Sequence, residues 1–290
     1  MKLEGIININ KPKGITSFDV IRKLRKILKE RRIGHTGTLD PLAEGVLVIC
    51  VGKVTKLASL IEAKSKTYIA EFEFGYKTDT YDVTGNIIEK TENFIISKEK
   101  LINILKKFEG EIKQIPPMYS AIKVDGKKLY ELAREGKEIE RKARKIKIDY
   151  IKLLEFDAKK AKIECKVSKG TYIRSLIYDI GEELECFATM TSLIRTKVGK
   201  YNIKNSFTIE EIEGNFIKNN IDFLLRVEES FDFNNIEIKE KIKKNMLING
   251  NKISYKGENG YYKIYFDNKF WGIGIIENNY LKPYKYFNIE

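Results

Sequence analysis

The string GHTGTLDPLAEG, residues 34–45, holds the side chains of this chain best suited to chemistry. It contains the only histidine, His35, and an aspartate that a proline follows, Asp40. A proline biases the preceding residue toward extended or turn backbone, so we expect Asp40 to present its carboxylate from a fixed turn. The alternative is that Asp40 caps a helical turn beginning at Pro41. An isolated Asp-Pro pair is most often only a turn. A carboxylate held in this way can act as a nucleophile or stabilise a cationic centre.

The composition limits the class of function. The 54 basic residues against 41 acidic ones give a net charge of +13, which favours a polyanionic partner, although a chain rich in lysine can also reflect genome composition. With one histidine and three separated cysteines, neither a zinc site nor a disulfide framework is expected. The longest apolar run, residues 46–51, is too short for a membrane span, and the N-terminus has no secretory pattern. We therefore expect a metal-free cytoplasmic protein.

Hydrophobic periodicity predicts the elements that position these residues. A basic helix, residues 18–29 with Ser17 as its cap, leads into the Asp40 string. A capping box of Thr208 and Glu211 begins a later helix. The other predicted helices are residues 97–108 and 171–184, and the predicted strands are residues 46–51, 67–74, 146–156, 161–168 and 189–198.

Two segments depart from this pattern. Residues 114–147 are turn-rich and strongly basic, which predicts an exposed arm that grips phosphates rather than a solvated face. A polar stretch near residues 227–236 precedes short β runs, which predict a small barrel or sandwich. We therefore expect a catalytic domain over residues 1–232, with an insertion at 114–147, and a second domain over residues 233–290.

The Asp40 string with its spacing resembles the catalytic motif GHTGxLDPxAxG of the TruB family of tRNA pseudouridine synthases. The resemblance covers roughly residues 5–200 and the C-terminal FWGIGI turn is similar to that of a PUA domain. Further segments that resemble family motifs are NKPKGITS (10–17), SKTY (65–68), GYKTDTYDVTG (75–85), PPMYSAIKVDGKKLYELAR (116–134) and SKGTYIRSLIYDIG (168–181). The resemblance implies an α+β fold, in which helices flank a mixed, mainly antiparallel sheet and a small β-rich PUA-like domain follows.

The resemblance also implies the roles of individual residues. Asp40 takes the position of the catalytic aspartate and Arg174 that of the arginine that pairs with it. The substrate-binding positions are those of a tyrosine that stacks on the target base (Tyr68), a second pocket tyrosine (Tyr172), a leucine whose backbone meets the flipped base (Leu193) and a histidine that fills the gap left in the RNA (His35).

The helix that carries Arg174 supports its pairing independently. Its apolar stripe predicts a helix with Thr171 as the N-cap, which puts Arg174 in the first turn. The helix dipole disfavours a cation there, so Arg174 needs a carboxylate partner. Asp40 is the candidate, and a two-pronged contact would keep it ionised.

The implied reaction converts the T-loop uridine of tRNA, position 55, to pseudouridine. The reaction breaks the bond between the ribose and N1 of uracil and forms a bond between the ribose and C5, with no net gain or loss of atoms. No cofactor or metal is therefore expected. We expect the T arm of tRNA as the partner, no membrane, no obligate protein partner and a monomer. Two alternatives stay open: a non-catalytic tRNA-binding or folding protein, and a guide-RNA-dependent relative, which the short N-terminus and absence of long basic tails disfavour.

Overall fold

The computed structural model describes residues 3–286, and within them the chain forms seven α-helices and eighteen β-strands. The helices are α1 (Ser17–Leu28), α2 (Ala58–Glu62), α3 (Lys98–Lys107), α4 (Leu129–Arg134), α5 (Ile173–Glu183), α6 (Ile209–Ile217) and α7 (Lys241–Ile248). The strands are β1 (Gly5–Lys11), β2 (Ile33–His35), β3 (Glu44–Val51), β4 (Lys66–Phe74), β5 (Tyr76–Thr78), β6 (Ile87–Lys90), β7 (Gly110–Gln114), β8 (Lys123–Val124), β9 (Lys127–Lys128), β10 (Arg144–Phe156), β11 (Lys160–Val167), β12 (Ala188–Val198), β13 (Tyr201–Asn202), β14 (Asn235–Glu237), β15 (Ile253–Ser254), β16 (Gly260–Phe266), β17 (Lys269–Glu277) and β18 (Tyr280–Tyr286).

Nine strands form the central sheet, in the order β1–β3–β12–β4–β11–β10–β7, with β2 beside β3 and β13 beside β12. Every neighbouring pair is antiparallel except β3 and β12, which run parallel. The expected mixed, mainly antiparallel sheet of an α+β protein is therefore confirmed.

The central sheet is covered on both faces. Along β3, Leu47 and Ile49 pack into one core with helices α1, α3, α5 and α6. The alternate residues Val46 and Val48 pack into a second core on the other face. Burial on both faces explains why β3 reads as a continuous apolar run rather than as an alternating strand.

The start of α1 differs by one residue from the expectation. Thr16, not Ser17, is the N-cap: its Oγ1 accepts a hydrogen bond from the Asp19 amide at 3.0 Å, and Asp19 accepts one from the Thr16 amide at 2.8 Å. Ser17 is buried, and its Oγ accepts from the Leu39 amide at 2.8 Å and donates to the Leu39 carbonyl at 3.1 Å. The serine therefore ties α1 to the string that carries Asp40.

The insertion begins where two strands of the sheet stop pairing. Gln114 lies opposite Arg144 at the end of the β7–β10 ladder. Between them the chain leaves the sheet and forms the β8–β9 hairpin and α4.

The short C-terminal β runs form one five-stranded sheet, ordered β14–β16–β17–β18–β15. The expectation was a small barrel or sandwich; over the described residues of this module a second sheet does not occur, so of these two the sandwich is wrong. The module has its own core, which includes Ile264, Phe266 and Leu281. Phe270 and Ile273 on β17 instead join the second core of the central sheet, so the module packs directly on the larger unit. No helix within residues 3–286 is long and apolar enough to cross a membrane.

Candidate active site

A cleft of about 1000 Å³ opens between the Asp40 string, the loop after β5, the insertion and the first turn of α5. The sheet supplies its floor through β4 and β12. The residues of the predicted site that line this cleft are Asp40, Tyr68, Tyr172, Arg174 and Leu193. Segments far apart in the chain therefore meet at one place.

Asp40 lies at the first position of a turn that Pro41 follows. The Ala43 amide donates to the Asp40 carbonyl at 3.1 Å and closes the turn. No helix begins at Pro41 in this described segment, so the turn is correct and the helix-cap alternative is not. The carboxylate of Asp40 is 39% exposed to the cleft, which leaves it accessible to a substrate.

Arg174 is the ion-pair partner of Asp40, with Nη2 at 2.9 Å from Oδ2. Unlike the aspartate, its side chain is only 6% exposed. The N-terminal end of α5 differs from the expectation: Tyr172, not Thr171, is the N-cap. The Tyr172 amide donates a hydrogen bond to the Gln114 side chain at 2.8 Å. Arg174 is still in the first turn, where a cation opposes the helix dipole, and the aspartate compensates for it.

The guanidinium of Arg174 is shared among four acceptors. Nη1 donates to the Thr80 carbonyl at 3.0 Å and Nη2 to the Tyr119 carbonyl at 2.9 Å. Nε faces a second carboxylate, Asp82, whose Oδ2 lies at 3.6 Å. Asp40 therefore contacts the guanidinium through Nη2 alone, and the bidentate pairing expected from the sequence is not formed. The reason is that Nη1 and Nε are engaged by the Thr80 carbonyl and by Asp82.

Asp82 is the principal residue that the sequence analysis did not single out. It is 4% exposed, and its Oδ1 accepts hydrogen bonds from Thr80 Oγ1 at 2.9 Å and from the Thr84 amide at 2.9 Å. A buried carboxylate needs such partners to stay charged. The TDTYDVTG string pointed to this loop, but two aspartates occur in it and only the fold identifies which one faces Arg174.

The loop that carries Asp82 has an unusual backbone. Tyr81 adopts a left-handed conformation with φ of 65°, which a non-glycine residue adopts only at an energetic cost. Its ring stacks on Tyr178 of α5 with centroids 4.2 Å apart, which holds it in place. A Cβ at Gly85 would lie 2.2 Å from Asp79 Oδ1 and 2.9 Å from the Thr80 backbone nitrogen, so the turn that closes this loop favours glycine.

Arg195 on β12 anchors the other wall of the cleft. It is 2% exposed, and its guanidinium donates to three carbonyls of the Asp40 region: Val46 at 2.7 Å, Gly37 at 3.1 Å and Thr38 at 3.2 Å. Gly45 has φ of 101°, and a Cβ there would lie 2.4 Å from the Arg195 carbonyl. The string and β12 are therefore in direct contact, which requires the glycine.

Two buried lysines add positive charge to this region: Lys11 interacts electrostatically with Asp40, and Lys66 lines the cleft. Lys11 Nζ donates to the Pro12 and Ile15 carbonyls at 2.9 and 2.8 Å, and Lys66 Nζ donates to the Glu62 and Lys64 carbonyls at 2.5 and 2.9 Å. Burial lowers the pKa of Lys11 to about 8, against the opposing attraction of Asp40. Burial, helped by repulsion from Arg195, lowers the pKa of Lys66 to about 8.

The predicted substrate-binding residues divide into two groups. Tyr68 on β4, Leu193 on β12 and Tyr172 line the cleft, and the first two are each 7% exposed. Burial raises the pKa of the Tyr172 phenol. His35 does not contribute to the cleft lining; its Nδ1 accepts from the Gly37 amide at 3.3 Å. Burial and repulsion from Arg195 lower the pKa of His35, which favours a neutral imidazole.

Comparison with known proteins assigns this arrangement to a family. Residues 25–173 match the TruB family pseudouridylate synthase (N terminal domain), and residues 174–227 match the tRNA pseudouridylate synthase B C-terminal domain. The chain belongs to the TruB family. One relative, tRNA pseudouridine synthase B of Fusobacterium nucleatum, is 58% identical over 98% of this chain and 100% of its own length. The protein of the same name from Clostridium acetobutylicum is 44% identical over 98% of this chain and 99% of its length.

Two solved structures are similar to this TruB family chain over most of its length. A chain from the crystal structure of a Cbf5-Nop10-Gar1 complex has a TM-score of 0.71 and 25% identity, over 93% of this chain and 78% of that one. A chain from an H/ACA RNP bound to a substrate RNA containing 2'-deoxyuridine has a TM-score of 0.74 and 22% identity, over 98% and 85% of the two chains. The fold of the TruB family chain is thus confirmed over nearly its whole length.

Proposed function

We propose that this chain isomerises the uridine at position 55, in the T loop of tRNA, to pseudouridine. The observation that carries the proposal is the Asp40–Arg174 ion pair, in which the aspartate is exposed to a cleft and the arginine is buried behind it. Relatives named tRNA pseudouridine synthase B, similar over their full length, support tRNA as the substrate.

Asp40 is the catalytic residue of this proposal. The reaction breaks the C1′–N1 bond, forms a C1′–C5 bond, and transfers the C5 proton while N1 gains one, so atoms balance without a cofactor. Such a step needs an ionised carboxylate beside the sugar and the uracil ring. Arg174 orients the carboxylate and supplies the opposite charge beside it, through the contact at 2.9 Å.

The cleft has the dimensions and lining to hold an extruded nucleoside. A base inside folded RNA must be flipped out, which costs a few kcal/mol in lost stacking. Tyr68 and Tyr172 supply aromatic surface for the uracil, and Leu193 packs beneath it. His35 lies outside the cleft lining and takes the place of the extruded base in the RNA stack.

We assign the separate units as follows. Residues 1–232 are the catalytic domain, and their insertion, residues 114–147, closes over the RNA; Tyr119, Ser120 and Arg134 of the insertion already line the cleft. Residues 233–290 form a PUA-like RNA-binding domain. The protein acts as a monomer in the cytoplasm, without a protein partner, guide RNA or cofactor.

Asp40→Asn tests the proposal. The full-length protein is incubated with an unmodified tRNA transcript in the presence of a chelator and without any guide RNA, and pseudouridine is mapped by position. The expected product is pseudouridine at position 55 with the natural sequence and none with Asp40→Asn, whose tRNA Kd stays within a few-fold of the natural protein. A loss of several kcal/mol of transition-state stabilisation corresponds to at least a thousandfold in rate.

Three results would contradict the proposal. Near-normal turnover by Asp40→Asn would remove the aspartate from the chemistry. Salt-sensitive tRNA binding without any product from the natural protein would favour the non-catalytic RNA-binding alternative. A product that forms only when a guide RNA is added would favour a guide-dependent enzyme.

A further inference from the structure

The solvent face of α1 and the turn after it carry positive charge that the fold does not neutralise. Residues 22–32 contain seven basic side chains and one acidic one, and four of the ten arginines of the chain lie there. All seven are exposed. Within residues 3–286, Arg22 is the only one of the seven with an ion pair, to Asp19. A folded protein gains nothing internally from such a concentration of like charge, so it points to an anionic partner.

An exposed aromatic ring stands at the cleft end of this face. Phe18 is 55% exposed although it belongs to the first turn of α1, because it lies to one side of the buried stripe of that helix. It lines the cleft together with Pro41 and Leu42, and the Arg25 guanidinium lies 6.0 Å from its ring centroid.

Helical spacing connects the ring with the charges. Phe18, Arg22 and Arg25 follow one another at intervals of four and three residues, so they form one line along α1. Lys29, the C-cap of the helix, follows four residues after Arg25 and continues the line at its far end. At a rise of 1.5 Å per residue the line extends about 16 Å from the cleft rim. This length matches two or three successive phosphates of a nucleic-acid strand.

We propose that this line, the α1 track (Phe18, Arg22, Arg25 and Lys29), binds the RNA strand that leaves the cleft. Phe18 stacks on a base next to the extruded uridine, and the three cations bind the phosphates that follow. The inference deepens the proposed function, on which it rests. An aromatic face combined with a row of cations is the recognition chemistry of single-stranded nucleic acid, and the track is continuous with a cleft that accepts a nucleoside.

The charge part is tested by two matched triple variants. One removes the track cations (Arg22→Gln, Arg25→Gln and Lys29→Gln); the other removes three exposed cations of α3 (Lys98→Gln, Lys100→Gln and Lys106→Gln), a helix that does not line the cleft. Kd for an unmodified tRNA transcript is measured from 50 to 300 mM KCl. We expect the track variant to bind tRNA at least tenfold more weakly at 100 mM KCl. The slope of the logarithm of the association constant against the logarithm of salt concentration should also become less steep by about two. The α3 variant should stay within threefold.

The stacking part is tested at Phe18. Phe18→Ala is expected to lower the single-turnover rate about tenfold, and Phe18→Trp to restore it to within threefold. A transcript with 2-aminopurine beside the target uridine gives a readout independent of turnover, because stacking on the ring quenches its fluorescence. The quenching should be lost with Phe18→Ala and kept with Phe18→Trp, while Tm stays unchanged since the ring is exposed.

Equal weakening by the two triple variants would overturn the track, because net charge alone would then explain binding. An unchanged rate and unchanged quenching with Phe18→Ala would overturn the stacking role. If the natural protein binds tRNA without making pseudouridine, the proposed function fails, whereas the salt slopes and the quenching still decide whether the α1 track binds RNA.

Discussion

Arg195→Lys is expected to displace the string that carries Asp40 while the rest of the fold survives. The substitution keeps the positive charge but replaces a planar group that reaches three carbonyls at once. An ammonium can keep one of these contacts in the same space. Hydrogen bonds from charged groups are worth about 1.5–3 kcal/mol each, so the loss of two corresponds to about 3–6 kcal/mol before relaxation of the site recovers part of it.

Part of this loss falls on the string itself, because Gly37 and Thr38 are two of the three acceptors and precede Asp40 directly. We expect the free energy of unfolding to drop by about 2–4 kcal/mol. We also expect the rate of pseudouridine formation within the enzyme–tRNA complex to drop at least tenfold. Urea denaturation measures the first quantity and single-turnover pseudouridine formation with saturating enzyme measures the second, at a temperature where the variant is fully folded.

Arg226→Lys is the matched control, since that arginine is exposed and the same exchange there should change neither quantity. A turnover equal to that of the natural protein in folded Arg195→Lys would refute the reasoning, because the string would then hold its position without the guanidinium. Unchanged stability would refute the estimate of the lost hydrogen bonds.

Two further predictions concern buried charged residues that line the cleft. Asp82→Asn removes a charge 3.6 Å from Arg174 Nε, which is an attraction of about 4 kcal/mol at the effective dielectric of a protein before desolvation is subtracted. The single-turnover rate should fall at least tenfold with Asp82→Asn, whereas the control Asp79→Asn in the same loop should stay within threefold. Equal rates of the two variants would contradict a role of Asp82 in holding Arg174. Lys66→Gln tests the lysine whose pKa burial lowers to about 8. Since the unfolded chain holds that proton up to about pH 10.5, the natural protein should gain about 1–3 kcal/mol of unfolding free energy relative to the variant between pH 8 and 10, and a difference that is constant over this range would contradict the assignment.

The central elements of the fold were predictable because their signals are local. The strand over residues 46–51 and the capping box at Thr208 depend on side-chain patterns that a few neighbouring residues determine, and both are present as expected. Helix ends were less predictable. Ser17 and Thr171 are both good capping residues, but tertiary contacts to Leu39 and Gln114 moved the caps to Thr16 and Tyr172.

The sequence by itself determined the chemistry that this chain offers: one aspartate fixed by a proline, an arginine in a helical turn where a cation needs a partner, and an excess of positive charge. The tertiary structure alone decided that Asp82 completes the Arg174 network and that Arg195 holds the string before Asp40. The physical reason is that residue type and spacing act along the chain, whereas the partners of these buried charges include groups 94 and 158 residues away in sequence, and only the packing of the sheet brings them together.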